Sequence, residues 1–248
     1  MALFEAYAPE ALIWIAAAGC IAGLVRGFSG FGTAMIFLPV AGQHLSPFAA
    51  LTAMVVMDIV GPLIMVPRAL KAGQPADVLR LGLGLALAMP LGVWLLTLVE
   101  PAVFRYGVSL FALGLLAVLI AGLRYAGPLT PPMVLGTGAL GGALGGSVGL
   151  PGPPVILLYM ASPLPAAAIR ANITLYLILA DLALLALLWG FGELVVPALA
   201  LGAALIVPYV AGNRLGSWMF VPGRERTYRA VAYAIIAASA LSGLPVWD

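Results

Sequence analysis

The chain has 248 residues, 64% of them hydrophobic and only 8% charged. Soluble domains carry about 25% charged residues, so a water-soluble globular fold is excluded. The formal net charge of +2 says little as a total, and no nucleic-acid partner is expected.

From the N-terminus, Met1-Ala-Leu-Phe-Glu5 has no basic n-region and no cleavage site, so the first apolar segment is expected to be retained. Apolar segments then follow at about 8–26, 31–43, 47–67, 78–99 and 103–123. A second set covers about 132–148, 152–162, 165–191, 194–212 and 228–244. No charge occurs between Tyr125 and Ile169. A crossing helix needs about 20 mainly apolar residues, so the chain reads as an all-α polytopic membrane protein with about 8–10 membrane segments. Turn chemistry separates the segments at Ser46-Pro47, Pro67, Gln74-Pro75, Glu100-Pro101, Thr130-Pro131-Pro132, Pro197 and Pro222-Gly223. Cys20 and His44 are the only residues of their kinds, so neither an internal disulfide nor a transition-metal site is expected. No catalytic motif, cofactor site or metal cluster is present, and an enzyme is not expected.

Segments 31–43 and 152–162 are too short for ordinary crossings, and each follows a glycine cluster. Gly23, Gly27 and Gly30 recur as Gly142, Gly146 and Gly149, 119 residues on. Both clusters lead to a short apolar run, a Pro-containing loop and a long helix. This shared order predicts two repeats, 1–124 and 125–248, each a broken-helix hairpin followed by three transmembrane helices. The basic residues test their sense. If each hairpin enters and leaves on one face, Arg68, Lys71 and Arg80 share a side with Arg124, Arg214, Arg224, Arg226 and Arg229, and Arg105 lies opposite. The positive-inside rule favours that arrangement. It makes the repeats inverted and places both termini outside. Trp14, Trp94, Trp189 and Trp247 lie near predicted segment ends.

Gly23–Val40, with its Ser29-Gly30-Phe-Gly32 core, its second copy Gly142–Pro154 and the polar step Ala171-Asn-Ile-Thr174 together carry a resemblance. On these residues the chain resembles the TauE/SafE family of sulfite and organosulfonate transporters over essentially its whole length. The resemblance implies movement of small, often sulfur-containing anions across the bacterial inner membrane without ATP. The second copy departs at Gly149-Leu-Pro-Gly-Pro-Pro154, a stiffer turn, so the two hairpins are not expected to be equivalent.

A helix broken inside a membrane exposes backbone groups that need partners, and half-helix N-termini offer positive dipole ends to an anion. The candidate half-helices start near Phe31 and Gly152. Gly30, Gly32, Gly149 and Gly152 mark the breaks, where backbone amides can approach an oxyanion. Ser29, Thr33, Ser147, Asn172 and Thr174 add hydroxyl and amide donors. Gly23 and Gly142 read as close helix packing. Arg26 is either a bidentate ligand for the anion or a charge that snorkels to the cytoplasmic surface. As a ligand, its replacement by Ala should abolish binding and leave folding intact. Arg170 reads as the first turns of a helix near the cytoplasmic face. Asp58 and Asp181 are candidates for coupling to a proton or sodium. Their other reading is structural, as an ion pair with Arg26 or Arg170 or as a protonated group bonded to a neighbouring helix. The expected function is secondary transport of a small anion; the alternative is an uncoupled anion channel or facilitator. The expected partners are that anion, the coupling ion and the bilayer, with a homo-oligomer open.

Overall fold

The computed structural model describes residues 7–122, 129–159, 162, 164–221 and 225–246. Arg124, Arg224, Trp247 and the Pro222-Gly223 break lie outside these residues.

The described residues form eleven helices and no strands. They are α1 (Pro9–Ser29), α2 (Thr33–Ala41), α3 (Pro47–Asp58), α4 (Val60–Ala72), α5 (Pro75–Thr97) and α6 (Pro101–Ala121). After them come α7 (Pro131–Val148), α8 (Gly152–Tyr159), α9 (Ala166–Gly190), α10 (Val196–Met219) and α11 (Glu225–Ser242). Proline opens α1, α3, α5, α6 and α7, where its missing N–H would have had no intrahelical partner. Among the described residues α1, α5, α6, α9 and α10 are each long and apolar enough to cross a bilayer, and α3 with α4 makes a sixth candidate. At nine and eight residues, α2 and α8 extend only about 12–14 Å at 1.5 Å per residue, less than half the hydrocarbon core.

The segment expected as one helix over 47–67 is two, with a break at Ile59. Pro62 has no N–H to offer the Asp58 carbonyl, and its ring clashes there. The break therefore falls just after Asp58. Pro67, expected to end a segment, lies inside α4 instead; membrane helices tolerate proline because neighbouring groups take up the freed carbonyl.

The chain forms two compact units that cut across its halves. One gathers α1, α2, α3, most of α6, α10 and α11; the other gathers α4, α5, α7, α8 and α9. In the first, α1 lies against α10, α3 also packs on α10, and α2 sits among α1, α3 and α11. In the second, α5 lies against α7, α9 packs on α4 and α5, and α8 touches α7 and α9. The repeated glycines set the two tightest seams. A side chain at Gly23 or Gly27 would overlap the Tyr209 or Asn213 carbonyl of α10. One at Gly142 or Gly146 would overlap the Leu85 or Met89 carbonyl of α5. Between lipid-immersed helices such backbone approach is a main source of packing energy.

Opposite its glycine seam, α5 exposes Leu79, Leu83, Leu87 and Leu91 at four-residue spacing, a face suited to acyl chains rather than water. Exposed Trp94, Trp189 and Trp218 stand close to the ends of α5, α9 and α10, as membrane-interface aromatics do.

Candidate functional site

α1 stops where Gly30 turns left-handed (φ 82°) and returns its N–H to the Arg26 carbonyl at 2.8 Å. Gly32, also left-handed (φ 102°), then starts α2. Only glycine takes such angles without steric cost, and the αL penalty for another residue is about 1–2 kcal/mol. Ser29 secures the turn: its Oγ donates to the Val25 carbonyl at 2.7 Å and accepts the Phe31 N–H at 3.3 Å.

One turn before the break, Arg26 points into a polar cluster. Its Nη1 donates to Asp58 Oδ2 at 2.7 Å and to Thr33 Oγ1 at 3.2 Å. The Tyr209 hydroxyl of α10 donates to the other Asp58 oxygen, Oδ1. Thr33 Oγ1 lies 3.1 Å from the Tyr209 oxygen. Tyrosine has one proton, already given to Asp58, so Thr33 donates to Tyr209 while accepting from Arg26. The result is a closed ring of four side chains drawn from α1, α2, α3 and α10. Thr33 is buried, and Arg26 and Asp58 are largely so. The positive N-terminal end of α2 adds to the Arg26 charge, and Asp58 is the anion that answers both.

The second break is plainer. Gly149 is left-handed (φ 70°) and caps α7 through the Gly145 carbonyl. Gly152 is the first residue of α8, where an added Cβ would lie 3.2 Å from the Leu177 side chain. Ser147 donates to Ala143 and Thr174 to Arg170, each bonding the backbone of its own helix. Asn172 is fully buried and engaged at both ends: Oδ1 accepts the Gln74 N–H at 2.7 Å, and Nδ2 donates to the Tyr159 hydroxyl at 3.1 Å. That hydroxyl also interacts with Asp77, whose carboxylate pairs with Arg80 at 3.0 Å. Asn172 thus ties the α4–α5 corner to the end of α8. Asp181 is buried on α9, and Arg170 is exposed near its start.

A family model described as Sulfite exporter TauE/SafE matches residues 15–243. The chain belongs to the TauE/SafE family. No curated protein and no solved structure matches it. As a TauE/SafE protein it is a multi-pass membrane protein of a transporter family.

Of the residues picked from the sequence of this TauE/SafE chain, the structure joins Arg26, Thr33 and Asp58 in one cluster, with Ser29, Gly30 and Gly32 forming the adjoining turn. Ser147, Gly149, Gly152, Asn172, Thr174 and Asp181 belong to the other unit. Three partners escaped sequence reading: Tyr209, Tyr159 and Asp77. Tyr209 had a signal, being the lone hydroxyl in the charge-free run 194–213. Asp77 had a weaker one, an acidic residue in the first turn of α5.

Proposed function

We propose that this protein is a secondary transporter of a small sulfur oxyanion, with Arg26, Thr33 and Tyr209 as its principal ligands. The observation that carries this reading is the way Asp58 is held. A guanidinium and a phenol each bond one oxygen of a carboxylate, beside the N-terminal end of a short half-helix. The same donors suit two oxygens of sulfite or a sulfonate, and family membership supplies the substrate class. Backbone amides at the Gly30–Gly32 break complete the ligand set, and the second break, at Gly149 and Gly152, forms its counterpart in the other half. Asp58 and Asp181 are the candidate groups for the coupling ion.

The two halves are inverted repeats in this reading. Their support is the matched pair of glycine breaks and the reciprocal packing of α1 on α10 and α7 on α5. The protein sits in the bacterial inner membrane with periplasmic termini, as the distribution of basic residues favours.

Thermal unfolding of the purified protein with sulfite, sulfate and methanesulfonate tests the reading. An anion at 100-fold its dissociation constant should stabilise the fold by about 2.7 kcal/mol, and the same anion should enter proteoliposomes. Absence of any shift with all three would refute it. Uptake indifferent to imposed pH and sodium gradients would leave a facilitator.

A further inference from the structure

We propose that Asp58 is a built-in occupant of the anion site, which yields to substrate only as it takes up a proton, so that one proton binds with each anion. The inference rests on the reading of Arg26 as an anion ligand. Both Asp58 oxygens are already engaged, Oδ2 by Arg26 and Oδ1 by Tyr209. These are the donors an incoming sulfite or sulfonate needs. Two anions cannot share them, so Asp58 has to leave or lose its charge before substrate binds.

An anion that takes these two donors would leave the Asp58 carboxylate without them. Among the described residues, the ionisable groups that bond Asp58 are Arg26 from α1 and Tyr209 from α10. α2, which also packs on α3, brings Thr33 and no ionisable side chain. Adding an anion beside a charged Asp58 sets two negative charges in a poorly screened environment. A proton passed to a carboxylate oxygen from hydronium in bulk solvent, which is left as water, removes one of them. No covalent bond other than that O–H forms, and Arg26 passes its hydrogen bond from Asp58 to the substrate. The backbone is arranged for this. Asp58 is the last residue of α3, at the break that Pro62 imposes, so its side chain sits on a helix end rather than within a rigid turn. A carboxylate at a helix C-terminus is also unfavourably placed relative to the dipole. There its carboxylate is bonded by Arg26 and Tyr209, the two groups that substrate would claim.

Calorimetric titration of sulfite, sulfate and methanesulfonate into the full-length protein in detergent tests the proposal. Two pH values and buffers of different ionisation enthalpy allow protons to be counted. The wild type should take up about one more proton per anion than Asp58→Asn, and its affinity should weaken more as pH rises. Asp58→Asn should bind roughly tenfold tighter or better, equivalent to about 1.4 kcal/mol. Any titration of the ligand itself is common to both proteins and cancels in the comparison. Equal affinity and equal proton uptake in the two proteins would overturn the proposal while leaving anion binding at Arg26 intact. So would proton uptake that persists undiminished in Asp58→Asn. Binding of none of the three anions to either protein would instead remove the transport reading, and the proposal with it. If Asp58→Asn does not fold, the wild type decides alone with methanesulfonate, which stays ionised throughout: absence of proton uptake on binding overturns it.

Discussion

Replacing Arg26 by Met should destabilise this protein before it affects any substrate. The Arg26–Asp58 contact is 2.7 Å, and the side chains are only 19% and 16% exposed. Unit charges about 4 Å apart interact by about 4 kcal/mol at an effective dielectric of 20. Removing one member of a buried pair costs about 3–5 kcal/mol, because the survivor stays desolvated and uncompensated. Residual exposure places this pair at the low end, about 3 kcal/mol. At about 2–4 °C per kcal/mol for a chain of this size, Arg26→Met should unfold roughly 6–12 °C earlier in detergent without ligand.

The double variant Arg26→Met/Asp58→Asn should recover most of that loss. It removes the orphaned carboxylate and leaves an amide oxygen for the Tyr209 hydroxyl. A coupling energy of about 2 kcal/mol is expected from the cycle formed by the wild type, the two single variants and the double variant. Fluorescence-monitored thermal unfolding reads it directly. Single-variant losses that simply add in the double variant would refute the ion pair, and with it the physical basis for Asp58 as a competitor. The sequence-based expectation that Arg26 could be removed without affecting folding is replaced by this one, because the sequence did not show what Arg26 touches.

Gly142→Ala should separate α5 from α7, since the added carbon would stand 2.7 Å from the Leu85 carbonyl; overpacking of this kind costs about 1–3 kcal/mol, measurable as an earlier unfolding midpoint. Asn172→Leu strands the Gln74 N–H and the Tyr159 hydroxyl, at about 1–3 kcal/mol for a buried unpaired group. Asn172→Asp keeps the acceptor for Gln74 but puts a carboxylate at a fully buried site near Asp77, so it should unfold no later than Asn172→Leu in the same assay.

Nine of the ten apolar segments read from composition became single helices, because a membrane chain needs long uncharged runs and proline marks their starts. The breaks at Gly30 and Gly149 were equally legible, since a glycine cluster before a short apolar run leaves a helix few ways to continue. The division at Ile59 was missed although its cause is local: Gly61-Pro62 sits within an apolar stretch, and hydropathy outweighed the proline. The Arg26–Asp58 pair was readable only as one of several options. Tyr209 lies 151 residues from Asp58, and no local pattern identifies which hydroxyl on a distant helix will face a given carboxylate. Asn172 stood out as a polar step, but its role did not. Its partners, the Gln74 amide and the Tyr159 hydroxyl, come from different helix ends, and their convergence is a property of the packing.

The two halves share architecture but not chemistry. At the 119-residue offset that aligns the glycines, Arg26 corresponds to Gly145 and Thr33 to Gly152. The second break therefore has the left-handed turn and the short half-helix but neither the cation nor the hydroxyl. Its tie is Asn172 with Tyr159, whose hydroxyl also meets the Asp77–Arg80 pair at the start of α5. An arginine within a membrane helix costs about 2.5–3.5 kcal/mol on insertion scales, and carrying it once rather than twice halves that cost. The Arg26–Asp58 pair lies wholly within the first compact unit, so the two breaks differ in the charge carried at the glycine turn itself.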